Sequence, residues 1–255
     1  MRLTADNYYS TEANMAFWSA STVKSFLSCP AAGLAEMTGN WTRPDSDALL
    51  IGSYVDAALE GTLGLFIQEH PELFKRDGGL KAQYAKADEM VRRAMNDPVF
   101  CDFLRGEKQK IFTGTLFGYP FKAKFDVYLA GERIVDVKTV RDLSAVYKPG
   151  EGKLDFATAW NWPLQMAIYQ ALEGNRLPCY LAVITKESPP DIEIVQIEQE
   201  RMDAELEFLE RKMPEFDAIK SGVLEPERCG RCAFCRATKK LSGSKPLQFF
   251  DGGMQ

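Results

Sequence analysis

Residues 121–140, FKAKFDVYLAGERIVDVKTV, constrain this chain more than any other stretch. Two runs rich in alternating and β-branched residues flank Ala130-Gly131, where glycine supplies a permissive backbone, so the segment predicts a β-hairpin. The second run, 134–140, is apolar on both faces, as in a central strand covered from both sides. Asp136 and Lys138 interrupt it, and two residues apart they leave the same face. A hairpin loop of two or three residues sets Asp126 opposite Val135 or Asp136. A cross-strand spacing of about 5 Å then brings Asp126 and Asp136 within reach of one cation. Two carboxylates and an ammonium inside a strand core are costly unless they bind something. That cost makes the hairpin the first candidate site.

The rest of the chain supplies an α/β frame around it. A strand over 109–116 and a turn at Phe117-Gly118 lead into the hairpin, giving a three-stranded antiparallel meander. Further strands are expected at 179–185 and 192–197, after the helix WPLQMAIYQALEG, and extend the sheet into a mixed one. That helix has Pro163 in its first turn and Gly174 at its end. Its Gln165 and Tyr169 lie four apart on one side, which from spacing alone reads as an exposed polar edge.

Near the N-terminus, STVKSFLSCP reads as a helix capped by Ser19 or Ser21 and stopped by Pro30. The stretch DSDALLIGSYVDAALEG is a second helix, capped by Asp45 or Ser46 and closed by Gly61. In it Gly52, Asp56 and Glu60 share a face that by itself reads as solvated or cation-binding. Residues 62–79 and the YKPGEGKLD segment read as loops. Helices are expected from about Leu80 to Met95 and near Asp97-Pro98, with Cys101 as an inert core cysteine. A stripe of Met202, Leu206, Leu209, Met213 and Phe216 marks a late core helix, which Pro214 should bend or restart.

Composition narrows the chemistry. The chain has 255 residues, enough to bury a substantial core, and is read as a single domain over 1–255. Histidine occurs once, at His70 in a loop-like context, which rules out a two-histidine zinc protease and leaves a serine triad only that one residue. No Walker A loop or dinucleotide fingerprint is present. The net charge of −5 sets up no global field for nucleic acid, so any such surface is local. With no membrane-length apolar run and no signal-peptide core, the expected location is the cytoplasm.

The second informative stretch is ERCGRCAFCRATKK. Cys229, Cys232 and Cys235 form C-x2-C-x2-C, which in a cytoplasmic chain argues for metal ahead of disulfides. Three thiolates need a fourth ligand. Cys29, before Pro30, is the best remote candidate, because Cys101 and Cys179 sit inside apolar patterns. The consecutive spacing favours a [4Fe–4S] cluster over Zn²⁺ and joins Cys29 to residues 226–240. The same tail is basic, with Arg228, Arg231, Arg236, Lys239, Lys240 and Lys245 against Glu227, and is either a solvated tail or a phosphate-contacting rim.

Taken in order, these residues resemble the PD-(D/E)xK nucleases, specifically their RecB-like iron–sulfur branch. Asp126, Asp136-Val137-Lys138 and the Q-x3-Y pair Gln165 and Tyr169 carry the resemblance, together with Cys29 and the three late cysteines. Size makes the chain similar to the stand-alone phage or prophage exonucleases related to exodeoxyribonuclease VIII. The resemblance implies a restriction-endonuclease-like core with a mixed central sheet flanked by helices, its termini joined by the cluster. It further implies a Mg²⁺- or Mn²⁺-dependent deoxyribonuclease of recombination or repair that acts on DNA, with a single-strand annealing protein as a candidate partner. Asp126, Asp136 and the Val137 carbonyl would hold the metal, Lys138 would orient and help deprotonate water, and Gln165 and Tyr169 would position the strand or the lysine. Where the family has histidine after G-x3, this chain has Asp56, which the resemblance turns into a third metal ligand, with Glu60 a further acid on that face. A non-catalytic DNA-binding protein that keeps fold and cluster is the alternative.

Overall fold

The computed structural model describes residues 1–44 and 46–244. Asp45, one of two expected helix caps, and Lys245 of the basic tail lie outside the described residues. A five-stranded sheet carries the architecture: β1 (Glu107–Leu116), β2 (Tyr119–Leu129), β3 (Arg133–Val140), β6 (Cys179–Thr185) and β7 (Ile192–Ile197), ordered β1-β2-β3-β6-β7. Strands β1, β2 and β3 form the expected antiparallel meander. β3 and β6 run parallel and β7 returns antiparallel, so the sheet is mixed.

β3 is central, and its side chains alternate between two cores as a period-two strand must. Ile134 and Val140 join a cluster with Phe121, Phe125, Leu164 and Ile168 on one face. Val135 and Val137 join Val55, Ala87 and Met90 on the other. Helices cover both faces: α8 (Trp162–Glu173) and α9 (Gln199–Lys220) on the first, α4 (Asp47–Glu60) and α6 (Ala82–Met95) on the second. Coverage on both sides explains why the strand carries apolar residues on both faces.

Helix α8 is buried from Trp162 to Gln170, between the sheet and α9. The exposed polar edge expected from spacing alone is therefore wrong: Gln165 and Tyr169 are 6% and 8% exposed. A helix apolar nearly all round is an interior helix, and its polar residues then need partners inside. Helix α9 is continuous through Pro214, so of the bend or restart expected there it shows no restart.

The N-terminal part adds α1 (Thr11–Ala16), α2 (Ala20–Ser28) and α3 (Pro30–Met37). Ser19 caps α2 in a reciprocal capping box with Thr22. Pro30 does more than stop α2, since it occupies the first turn of α3, with Cys29 at the junction. The two helices approach so closely that a Cβ at Gly33 would meet the Phe26 ring at 2.6 Å.

Three other expectations change. Residues 62–79 hold α5 (Leu63–Glu69) and a 3-10 turn at Pro71–Leu73, because Leu63 and Phe66 pack onto the α4–α6 core. The YKPGEGKLD loop contains a small hairpin, β4 (Val146–Lys148) and β5 (Gly152–Leu154), turned at glycines with positive φ. Cys101, in α7 (Pro98–Phe103), is half-buried, its thiol 3.2 Å from the Met95 carbonyl. No described helix is long and apolar enough to cross a membrane.

Candidate active site and cysteine centre

The site forms where the sheet comes apart. β2 and β3 pair at Leu129–Arg133, Tyr128–Ile134 and Val127–Val135, and the ladder ends there. The next pair in that register would be Asp126 with Asp136. Instead the Val137 N–H donates to Asp126 Oδ2 at 2.9 Å, a side chain standing in for the ladder acceptor. On its other side, Asp126 faces Gln109, which the β1–β2 register skips and whose φ is +52°. Such a left-handed conformation is costly for a non-glycine residue and concentrates at functional sites. The β1–β2 ladder resumes at Lys110–Phe125, whereas β2 and β3 part beyond Val127–Val135, beside a cleft of about 700 Å³. Asp56, Asp126, Asp136, Val137, Lys138, Gln165 and Tyr169 all line it, as does Glu60.

Within the cleft the polar groups are connected. Lys138 Nζ makes a close ion pair with Asp136 Oδ2. Gln165 donates to Asp136 Oδ1 at 2.7 Å and to the Tyr169 hydroxyl at 3.1 Å. Its Oε1 accepts from Lys24 Nζ at 2.7 Å. Because an ammonium can only donate, Lys24 fixes which way the Gln165 amide points and therefore which group meets Asp136. Gln109 Nε2 bridges Asp126 Oδ1, at 3.3 Å, and Glu60.

Neither Lys24 nor Gln109 stands out in the sequence as a site residue. The one local signal for Lys24 is that it is the sole charged residue of α2. Gln109 has none, because its role arises from a register fault in β1.

Burial sets the electrostatics. It raises the Asp126 carboxyl well above the usual range, and repulsion from Asp136 adds to that. Burial likewise lifts Asp56 to about 7; Lys138 opposes the shift, while Asp136 and Glu60 reinforce it. Lys138 is pulled down by burial, but Asp136 and Asp126 more than offset this and leave its pKa raised, so it is an ammonium. Lys24 falls to about 8 through burial and repulsion from Lys138. Tyr169 is raised far above its ordinary value by burial and by the two aspartates, and stays a phenol.

This donor set fits a hard divalent cation. Three carboxylates share one buried space, two of them pushed toward the neutral form by burial and mutual repulsion, which a cation among them would relieve. Asp136 Oδ2 is buried and, among the described residues, accepts only from the Lys138 ammonium. The carboxylates are not drawn into one tight shell, however. Among the described residues, only the four cysteines have their ligand atoms gathered to within 4.8 Å of one another.

Those cysteines form the second centre. Cys29 projects from the α2–α3 junction, and Cys229 and Cys232 precede the short helix α10 (Ala233–Ala237), which carries Cys235. The Cys29 and Cys235 sulfurs are 3.6 Å apart and those of Cys229 and Cys235 3.9 Å. Backbone N–H groups point at the sulfurs: that of Cys232 at Cys229 (3.3 Å) and that of Cys235 at Cys232 (3.4 Å). Burial pushes the Cys229 thiol up, but such N–H groups outweigh it and bring it down to about 6. Cys179 is buried in β6, apart from this group.

A family model described as "PDDEXK-like domain of unknown function" matches residues 19–238, a span that takes in the acids of the cleft and all four clustered cysteines. No curated protein matches the chain. A crystal structure of a "putative exonuclease" from Eubacterium rectale is similar over 100% of both chains, with 36% sequence identity and a TM-score of 0.94. The crystal structure of SSO0001 aligns over 72% of this chain and 83% of its own, at 14% identity and a TM-score of 0.34. The fold is restriction-endonuclease-like, a mixed five-stranded sheet between helical layers.

Proposed function

The chain belongs to the PDDEXK-like domain family, and from that premise we propose that it is a metal-dependent nuclease that hydrolyses DNA phosphodiesters from an end. The observation that carries this reading is the cleft itself: Asp126 and Asp136 meet at the break between β2 and β3, with Lys138 beside them. The whole-length likeness to the Eubacterium rectale protein supports the exonuclease assignment.

In this reading Asp126, Asp136 and Asp56 would hold Mg²⁺ or Mn²⁺, with the Val137 carbonyl as a further ligand. The bound metal would supply Lewis-acid stabilisation of charge on the scissile phosphate and a more acidic water. The protein's own groups do the positioning. Lys138 is charged, so it orients water and faces the phosphate as a donor, and it does not act as the base while Asp136 and Asp126 hold its proton. Gln165 fixes the Asp136 carboxylate by donating to Oδ1, and Tyr169 presents a phenol O–H toward the strand.

End-labelled single- and double-stranded DNA, digested across Mg²⁺ and Mn²⁺, tests the exonuclease assignment. Progressive release of small products from a labelled end supports it, and internal cuts that spare the ends refute it. A role in recombination or repair, in a cytoplasm and beside an annealing protein, follows the exodeoxyribonuclease resemblance.

The cysteines are proposed to carry a [4Fe–4S] cluster, on the strength of the C-x2-C-x2-C run. Their closeness favours a second reading. A tetrahedral ion with sulfur ligands at about 2.3 Å places those sulfurs about 3.8 Å apart, as observed for two of the pairs. Absorbance near about 400 nm in anaerobically purified protein identifies the cluster; a colourless, zinc-containing sample identifies the single ion.

A further inference from the structure

A second cavity, of about 360 Å³, opens at the C-terminal end of β3. The strand itself links it to the catalytic cleft. Asp136, Val137 and Lys138 line the first space, and Thr139, Val140 and Arg141 line the second. From Lys138 to Arg141 is three residues, or about 10 Å along a strand.

The wall of this cavity is aromatic and its rim cationic. Phe156 and Trp162 meet edge to face, with centroids 6.1 Å apart. Trp160 ends the 3-10 turn Thr158–Trp160 that leads into α8, and 54% of it is exposed. Asn161, between the two tryptophans, holds φ at +53°. That left-handed residue lets Trp162 enter the core, its ring 5.7 Å from Lys138 Nζ, while Trp160 stays at the surface.

Three cations, Arg141, Lys148 and Lys186, stand around Trp160 against two acids, Asp142 and Asp155, in a chain of net charge −5; the Asp155 carboxylate is taken up by the N–H groups of Ala157 and Thr158. Lys148 Nζ lies 5.9 Å from its ring centroid. Lys186 lines the cavity and reaches the Ala48 carbonyl at 3.0 Å. Arg141 is 85% exposed, and its 2.6 Å pair with Asp142, the single acid of the lining, is one that solvent weakens and a phosphate can replace.

We infer that this cavity is a nucleotide subsite, stacking an unpaired base on Trp160 and holding the adjoining phosphate with Arg141, Lys148 and Lys186. Its occupant is the same DNA strand that passes through the cleft. The inference rests on the nuclease reading for that continuity, and adds that the substrate is single-stranded on this side of the scissile bond. Stacking on an aromatic face tolerates any base, and a local cationic rim tracks the backbone, which together suit a strand that moves through the site as it shortens.

Fluorescence anisotropy on the full chain in EDTA tests this without turnover, using a labelled oligothymidylate, the same strand made abasic, and a blunt duplex. Trp160→Ala should weaken the oligothymidylate about 5- to 150-fold, with the other two ligands changed less than about twofold. Trp160→Phe should recover most of the loss, and Arg141→Ala should lower the salt slope by about one. Equal weakening of all three ligands by Trp160→Ala, or no weakening of any, overturns the subsite; the second result is also the one expected of a protein-docking tryptophan. Digestion by the wild-type protein is measured alongside. Turnover with an unaffected Trp160→Ala variant overturns the subsite alone, whereas a wild-type protein that neither binds nor cuts DNA overturns the nuclease reading with it.

Discussion

Asp56→Asn should make the metal-free protein more stable at pH 8 and, by about a third of that margin, at pH 5. Asp56 titrates near 7 in the folded chain, chiefly because burial penalises its charge, against an ordinary value of 3.8. Between those values the folded state holds a proton that the unfolded state has released. Stability contributed by this group is therefore full below about pH 4 and is lost as pH rises toward 7. A shift of about three units at about 1.4 kcal/mol each gives about 4 kcal/mol as an upper bound. Asp56 keeps some contact with solvent in the cleft, so about 2–4 kcal/mol is the working range. For a chain of this size that corresponds to roughly 4–16 °C in Tm. The neutral amide has the same shape and does not titrate, so it keeps the stability that wild type loses. Thermal melts in EDTA at pH 5, 6.5 and 8 measure this. Addition of Mn²⁺ should then stabilise wild type increasingly from pH 6 to pH 8 and the variant much less. Melting curves of wild type and variant that run parallel across pH would refute the electrostatic argument, and equal Mn²⁺ stabilisation would remove Asp56 as a ligand.

Lys24→Met takes the donor away from Gln165 Oε1; an unsatisfied buried acceptor costs about 1–3 kcal/mol, so kcat/KM for DNA should fall about 5- to 150-fold, with Lys24→Arg recovering most of it. An unchanged rate in Lys24→Met would show that the amide is held by other means. Cys235→Ser should lower the metal content of the cysteine centre and the Tm together. The centre closes a span of 200 residues between Cys29 and Cys229, and by analogy with a disulfide such closure is worth roughly 5 kcal/mol. Metal analysis and a melt check it, and loss of metal with an unchanged Tm would count against the clamp.

Much of the fold and the principal acids were legible because they depend on local pattern. The alternation around Asp136 and Lys138 marks a central strand, and the turn at Gly131 fixes the register that brings Asp126 near Asp136. The cysteine group was readable by elimination, since Cys101 and Cys179 sit inside apolar patterns in the sequence and neither joins the group in space. What was missed is tertiary. Gln165 and Tyr169 looked like an exposed edge because a helix's own periodicity does not reveal a second helical layer, α9, on its outer side. Lys24 is 141 residues from the amide it orients. Gln109 matters only through an interrupted ladder, and Trp160 only through the left-handed turn at Asn161 that follows it. The α5 helix was masked by its brevity and by the glycines around it.

The proposed nuclease activity places a divalent cation, and the hydrolysis of DNA, at the break between β2 and β3. Digestion of end-labelled DNA by wild type, Asp136→Asn and Lys138→Ala, each with Mn²⁺ and with EDTA, tests it most directly, with circular dichroism to show that all three are folded. Mn²⁺-dependent shortening by wild type is expected, with none in EDTA and none by either variant. Undiminished digestion by a folded Asp136→Asn or Lys138→Ala protein, or wild-type digestion that persists in EDTA, would contradict it.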